Sequence, residues 1–335
     1  MAVATDMADL EKAGKGVVVG TAAATALAGV AGLSALFYAS VIERNWFTLR
    51  EESVDILPPG QRPRRILHIS DIHMTPAQGA KSKWLRELAD LKPDLVVNTG
   101  DNLGHKQGLA PLLESLEPLL QFPGVFVPGS NDYYAPKFKN PAAYLFRASG
   151  SKNRSPKSLP TEEMHQAFGR AGWVNLANRK QSVVLDRMRI DFSGVDDPHL
   201  GRDEYVGFPS GSISQQGAPN VRIGVAHAPY QRVLDNFTNG GAHLILAGHT
   251  HGGQLRIPGY GALVSNSDLP TWRARGLSRW FNGPKSSWLN VSAGIGTSRF
   301  APVRFACRPE AVLITLNPSS ERGAPEGGNA PEGGK

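Results

Sequence analysis

Ala247-Gly248-His249-Thr250-His251-Gly252-Gly253-Gln254 decides how the rest of the chain reads. It continues the apolar run Leu244–Ala247, sets two imidazoles at i and i+2, and brackets them with glycines that let backbone approach a ligand closely. An apolar run that ends in such side chains marks the carboxyl end of a buried strand, where α/β sheets place their ligands. Four other runs end the same way. Ile66–Ser70 leads into Asp71-Ile72-His73, and Leu95–Gly100 leads into Asp101-Asn102. Val125–Gly129 leads into Ser130-Asn131-Asp132, and Val221–Ala226 leads into His227.

Between these blocks, Lys83–Leu91 and Leu109–Leu120 carry apolar residues at helical spacing. Val183–Leu185 and Arg189–Phe192 predict a hairpin, and Trp288–Val291 and Ala311–Leu316 predict two further strands. The pattern is α/β in its first half and denser in strands later. Taken one at a time, Asp71 and Asp101 read better as turn residues. Five strand ends in one chain, all bearing Asp, His or Asn, read better as one site. His68 falls inside an apolar strand and is expected in the core. His165 and His243 are expected to be structural, and His105 and His199 are weaker candidates for a supporting role.

The donor types set the chemistry. Carboxylate oxygens, imidazole nitrogens and an amide oxygen suit Mn, Fe, Zn or a similar divalent ion. Seven such side chains exceed what one catalytic ion takes but suffice for two ions sharing a carboxylate. Such a pair makes water nucleophilic near neutral pH and clamps an in-line displacement, which is what hydrolysis of a phosphate ester requires.

Asp71-x-His73, Gly100-Asp101, Asn131-Asp132, His227 and Gly248-His249-Thr250-His251, in this order, resemble the five blocks of the calcineurin-like metallophosphoesterases. The resemblance covers about residues 64–316, and with its apolar N-terminus the chain looks like the membrane-associated bacterial branch. It implies an α/β fold of two facing β-sheets flanked by helices, a four-layer αββα arrangement, preceded by a transmembrane helix. It also implies that Asp71, His73 and His251 hold one metal, that Asn131, His227 and His249 hold the other, and that Asp101 bridges them. The third block departs from the usual Gly-Asn-His or Gly-Asn-Asp, because Ser130 separates Gly129 from Asn131. An ungapped match would put Ser130 at the ligand position; an amide oxygen is the better donor, so Asn131 is preferred. Asp132 then stands where the family often has a histidine that assists the leaving group, a role open to a carboxylate only if its pKa is raised.

Outside the blocks, Gly16–Ile42 holds no charged residue and exceeds the roughly 20 residues that span a bilayer. It is read as an uncleaved anchor, with a signal peptide cut near Ala26-Leu27-Ala28 as the rival reading. The expected division is an N-terminal tail 1–15, an anchor 16–42, a connector 43–63, a catalytic domain 64–316 and a disordered Pro/Gly-rich tail 317–335. Lys12 and Lys15 before the anchor balance Arg44 and Arg50 after it, so a cytoplasmic-membrane location follows without a side, the outer face being slightly preferred. The single cysteine, Cys307, excludes an internal disulfide framework and any multi-cysteine zinc site.

The net charge of +7 suits an anionic partner. Lys137, Lys139, Arg147, Lys152, Arg154 and Lys157 form a basic stretch that could steer an anionic substrate or rest on lipid headgroups, or simply be solvated. No aromatic-interleaved basic platform of the kind that binds nucleic acid is present. There is no phosphate loop, no nucleophile elbow and no dinucleotide fingerprint. The expected activity is hydrolysis of a phosphodiester or pyrophosphate in a lipid-linked or envelope substrate. A soluble or cyclic nucleotide is the alternative substrate, and a non-catalytic metal-binding scaffold the alternative of another class.

Overall fold

The structure is a computed structural model that describes residues 27–136, 158–186, 188–210, 220–297 and 300–319. Helix α1 (Leu27–Asn45) comes first, then β1 (Thr48–Leu57), β2 (Arg64–Ile69), α2 (Gly79–Glu87), β3 (Leu95–Asn98), α3 (Leu109–Leu116) and β4 (Gly124–Phe126). The short α4 (Ser130–Tyr133), α5 (Thr161–Arg170), β5 (Val174–Asn175), β6 (Arg179–Leu185), β7 (Met188–Gly194) and β8 (Asn220–Ala226) follow. The chain ends with α6 (Gln231–Asn239), β9 (Leu244–Ala247), β10 (Arg256–Ile257), β11 (Gly261–Ala262), β12 (Gly276–Asn282), β13 (Lys285–Val291) and β14 (Glu310–Pro318).

Two six-stranded sheets form, in the orders β1-β14-β2-β3-β4-β5 and β12-β13-β9-β8-β7-β6. Residues alternate between the two faces of each strand and sort the core into three clusters. Leu95 and Val97 of β3 point inward with Ile66 and Val125 against Phe192, Ile223, Val225, Leu244 and Leu246 of the opposite sheet. Val96, Leu67 and Phe126 point outward onto Leu85 of α2, Leu112 of α3 and Phe168 of α5. Ile245 and Leu289 cover the other flank with Val233, Leu234 and Phe237 of α6. The layers are therefore helix, sheet, sheet, helix. Both faces of each sheet are covered, and so the central strands are continuous apolar runs.

Strands β2, β3 and β4 are mutually parallel, as are β7, β8, β9 and β13. Parallel strands deliver their carboxyl ends to one end of a sheet, and the two sheets deliver theirs to the same end of the sandwich. The stretch read as a connector departs from that reading. Thr48–Leu57 is a full edge strand paired in parallel with β14, from Thr48 opposite Glu310 to Leu57 opposite Pro318. Its alternation is blurred because an edge strand is covered on one side only, so Arg50, Glu51 and Glu52 interrupt the apolar pattern. Because β14 runs antiparallel to β2, β1 starts at the end of the sandwich where β2 finishes.

Helix α1 is long and apolar enough, by length and composition, to cross a membrane. Residues 1–26, the basic stretch 137–157 and the tail from 320 onward lie outside the described residues.

Candidate metal centre

The two sheets bring Asp71, His73, Asp101, Asn131, His227, His249 and His251 to one end of the molecule. Asp71, His73, Asp101, His227 and His251 are almost fully buried there. Their donor atoms fall into two sets around one carboxylate. His73 Nε2 lies 3.2 Å from His251 Nε2 and 3.6 Å from Asp101 Oδ2, and Asp71 Oδ1 is 3.7 Å from His251 Nε2. On the other side of Asp101, Oδ1 lies 3.5 Å from His227 Nε2, which is 3.2 Å from His249 Nδ1. Asn131 closes that side by donating its backbone N–H to Asp101 Oδ1 and its side-chain Nδ2 to Oδ2, each at 2.6 Å.

These distances fit metal ions. Two donors about 2.1 Å from one ion lie roughly 3.0–3.7 Å apart at angles between about 90° and 125°, the range of four- to six-coordinate sites. Asp71 Oδ1 is buried without any hydrogen-bond partner, as expected of an oxygen kept for an ion. The tautomers agree. His227 Nδ1 faces the Thr99 carbonyl at 2.7 Å and His249 Nε2 faces the Asn266 carbonyl at 3.1 Å. A carbonyl only accepts, so those nitrogens carry protons; His249 Nδ1 then presents a lone pair to the site, and His227 Nε2 is the nitrogen that would do so once its proton is displaced by an ion.

The backbone is strained here. Asp71, His73, Asp101, His249 and His251 make up five of the twelve non-glycine residues with positive φ among those described. Such strain concentrates where function requires it. Crowding fixes two glycines as well. A Cβ on Gly248 would stand 1.9 Å from Ser70 Oγ and 2.5 Å from Asp71 Oδ2, and one on Gly129 would stand 2.4 Å from Asp101 Oδ1.

A sequence profile of the calcineurin-like phosphoesterases matches residues 64–253. The chain belongs to that family. It is therefore a metal-dependent phosphoric ester hydrolase that works with two divalent ions. The chain is 26% identical to the uncharacterized metallophosphoesterase YkuE of Bacillus subtilis, over 83% of this chain and 88% of that one. It is 23% identical to the phosphodiesterase YaeI of Escherichia coli, over 86% and 95%. It is 27% identical to a bovine transmembrane protein with a metallophosphoesterase domain, over 62% and 45%.

Electrostatics prepare this calcineurin-like centre for cations. Burial pulls His73 down to about 4, and it holds His249 and His251 well below the usual histidine range. These three rings are neutral at pH 7 and free to ligate. Burial would also lower His227, but the Asp101, Asp71 and Asp197 carboxylates outweigh it and raise the ring to about 9. Burial works against the Asp101 carboxylate too, yet the His227 and His73 imidazoles and the two Asn131 donors hold it below the usual carboxylate range.

The structure gives Asp132 a different setting from the one the sequence suggests. One of its oxygens accepts from Asn102 N, and the other from Asp101 N and Gly129 N. With both oxygens engaged in the loops, the carboxylate ties the third block to the second and is not free to face a leaving group. Burial and the neighbouring Asp101 raise it to about 7. Ser130 is buried at the start of α4, while Asn131 is the residue in contact with Asp101.

Among the other histidines, His68 is a core residue held by Thr99 and Asn290, and His105 caps the turn before α3. His243 accepts from Arg222 N. His199 stands closer to the centre, its ring 4.6 Å from that of His249 and its Nδ1 3.1 Å from the Tyr230 hydroxyl.

Sequence reading missed several residues around the centre. Asp196 and Asp197 follow β7 just as the other blocks follow their strands, so the signal was there. Asp197 is fully buried and raised to about 7 by burial, with Oδ2 unpartnered. Arg304 had no signal. It is a fully buried guanidinium from a loop, and it donates to the carbonyls of Ala293 at 2.7 Å and Gly296 at 2.6 Å, with its Nη2 3.4 Å from His251 Nδ1.

Proposed function

We propose that this chain is a membrane-anchored phosphodiesterase or pyrophosphatase that acts on a lipid-linked or envelope substrate. In this reading Asp71, His73 and His251 hold one ion, Asn131, His227 and His249 hold the second, and Asp101 serves both. When bound, the ions supply a water made nucleophilic near neutral pH and positive charge across the phosphoryl oxygens. The protein's own part is to aim the donors. Carbonyls fix the tautomers of His227 and His249, Asp132 ties the two aspartate-bearing loops, and the paired glycines leave room for close approach.

One observation carries the membrane part of the proposal: the foot of α1 and the His251 turn share one loop. Arg304 N donates to Ala39 O in α1 at 3.0 Å, while the Arg304 side chain reaches the His251 turn. In the same loop, Cys307 N donates to Glu43 and Cys307 Sγ lies 3.3 Å from His251 O. A helix that spans the bilayer would hold the metal end of the domain close to the membrane surface, where lipid-linked phosphates are found. The bovine relative is named as a transmembrane protein, which agrees with an anchor here.

The test uses the full-length chain in neutral detergent, loaded separately with Mn, Fe and Zn. It is offered bis-p-nitrophenyl phosphate, cyclic and linear nucleotides, and lipid-linked diesters and pyrophosphates. Preference for lipid-linked substrates over their water-soluble headgroups by kcat/KM is expected. Preference for a free nucleotide would overturn the substrate class and leave the hydrolase in place. Recovery of the uncleaved chain in the soluble fraction would overturn the anchor.

A further inference from the structure

At the foot of α1 lies a cavity of about 500 Å³ that none of the seven metal-site residues lines. Tyr38 and Glu43 of α1, Thr48 and Arg50 of β1, and Arg275 and Arg308 line it. We propose that it binds the phosphate of one anionic membrane phospholipid, whose acyl chains lie along α1. The inference rests on the reading of α1 as a membrane anchor.

Three guanidiniums meet at this cavity, and their partners differ. Arg50 and Arg275 share the buried carboxylate of Glu310 beneath the floor, and Arg50 also pairs with Glu52. Glu43 turns its carboxylate into the protein, where it accepts from Ala306 N at 3.0 Å and Cys307 N at 2.5 Å. Arg308 has no carboxylate or hydrogen-bond partner among the described residues. Its guanidinium carbon sits over the Trp46 ring, 3.4 Å from the centroid. A ring face accepts no N–H hydrogen bond of ordinary strength, so the guanidinium donors remain available for two oxygens of a phosphate. Arg44 adds charge at the same level, held by the Pro302 carbonyl.

The surroundings select a lipid over a free phosphate. Leu27, Val30, Leu33, Phe37 and Val41 stand exposed along α1 immediately before the cavity, an unpartnered apolar surface that acyl chains would cover. Trp46, about half exposed at the end of the helix, is the amphipathic residue type that settles at the headgroup level. Apolar stem, aromatic residue and arginine cluster thus follow each other in the order of acyl chain, glycerol and phosphate. The volume lies within the range of small-ligand pockets and accommodates a glycerophosphate headgroup.

The experiment is native mass spectrometry of the full-length chain in neutral detergent, titrated with dimyristoyl phosphatidylglycerol, dimyristoyl phosphatidylcholine or glycerol 3-phosphate. One phosphatidylglycerol per chain, retained about five- to tenfold better than phosphatidylcholine, is expected, because each unpaired arginine favours an anionic lipid by about that factor. Arg308→Gln should abolish the preference and Arg308→Lys should keep part of it, with Tm and turnover of a soluble diester unchanged in both. Equal retention of the two lipids, or an undiminished preference in Arg308→Gln, would overturn the site. Glycerol 3-phosphate binding as tightly as the lipid would overturn its assignment to membrane lipid. Extraction of the uncleaved chain from membranes by alkaline carbonate would overturn the anchor reading separately.

Discussion

Replacing Asp101 by alanine tests the shared carboxylate. Asp101 Oδ2 faces His73 and Oδ1 faces His227, so a single substitution removes one donor from each side of the centre. The fold should survive, because the hydrogen bonds that place the second block use backbone. Asp101 N donates to Asp132, and His73 N donates to Asp101 O at 2.9 Å. Two costs remain in the metal-free protein. Asn131 loses the acceptor for two N–H groups, and alanine must adopt a φ of 55° that suits aspartate or asparagine better. Asn131 is only half-buried, so water replaces part of the loss, and a destabilisation of about 1–3 kcal/mol is expected. The effect on metal is larger. Altering only the support around a ligand typically costs about 10–100-fold in affinity, and here a ligand common to two ions goes. Metal content by mass spectrometry should fall from two ions per chain to one or fewer, and turnover of bis-p-nitrophenyl phosphate by at least about a thousandfold. Circular dichroism melting should show a folded protein. Two tightly held ions with turnover within a few-fold of wild type would refute the bridge.

Asn131→Ala is expected to deplete one ion and abolish turnover, and Ser130→Ala to be mild; the reverse pattern in metal analysis would give the third-block ligand position to Ser130. Gly248→Ala should cost about 1–3 kcal/mol and lower metal content, since its Cβ would overlap Ser70 Oγ and crowd Asp71, and a wild-type Tm would contradict that packing. His227 gives a pH signature in metal-free protein. Its folded pKa of about 9 lies above the unfolded value near 6.5, so its stabilising contribution is complete below pH 6.5 and is lost as pH rises through 9. The stability gap between wild type and His227→Asn should therefore shrink by on the order of 3 kcal/mol from pH 6.5 to 9 in urea melts, and a constant or widening gap would contradict the assignment.

The central strands were legible in the sequence because both their faces are buried. Leu95–Asn98 and Leu244–Ala247 form as read from the residues, and β8 and β14 differ by a residue or two at their ends. Legibility fell wherever a strand had one covered face. β1 was read as a connector because its exposed positions carry Arg50, Glu51 and Glu52, and what makes it a strand is pairing with β14 more than 250 positions later. No local pattern encodes a partner at that distance. β12, an edge strand on the other sheet with intermediate burial along most of its length, escaped for the same reason.

At the metal centre the legible residues were those whose chemistry is rare at a strand end. A carboxylate or imidazole that interrupts an apolar run is conspicuous. A residue that supports one from behind is not, because its partners are backbone carbonyls that any sequence supplies. Arg304 is the clearest case, since nearly everything it holds, from Ala293 to Gly296, is main chain, the side-chain contacts being His251 Nδ1 and a long one to Cys307 Sγ. Asp132 shows the converse. Its position beside Asn131 suggested chemistry, yet three backbone N–H groups claim its oxygens. Sequence adjacency locates a residue near a site, but the direction of its side chain depends on which donors the folded loops leave unpaired. At this centre the buried N–H groups of Gly129, Asp101 and Asn102 are satisfied by Asp132, and leaving them without that carboxylate would cost more than one proton donor could return. The same logic points the other way at Asp71, whose Oδ1 is left without any donor in a fully buried site. Burial raises that carboxyl to about 6, and a cation held with the neutral imidazoles of His73 and His251 beside it would return the oxygen to its charged form.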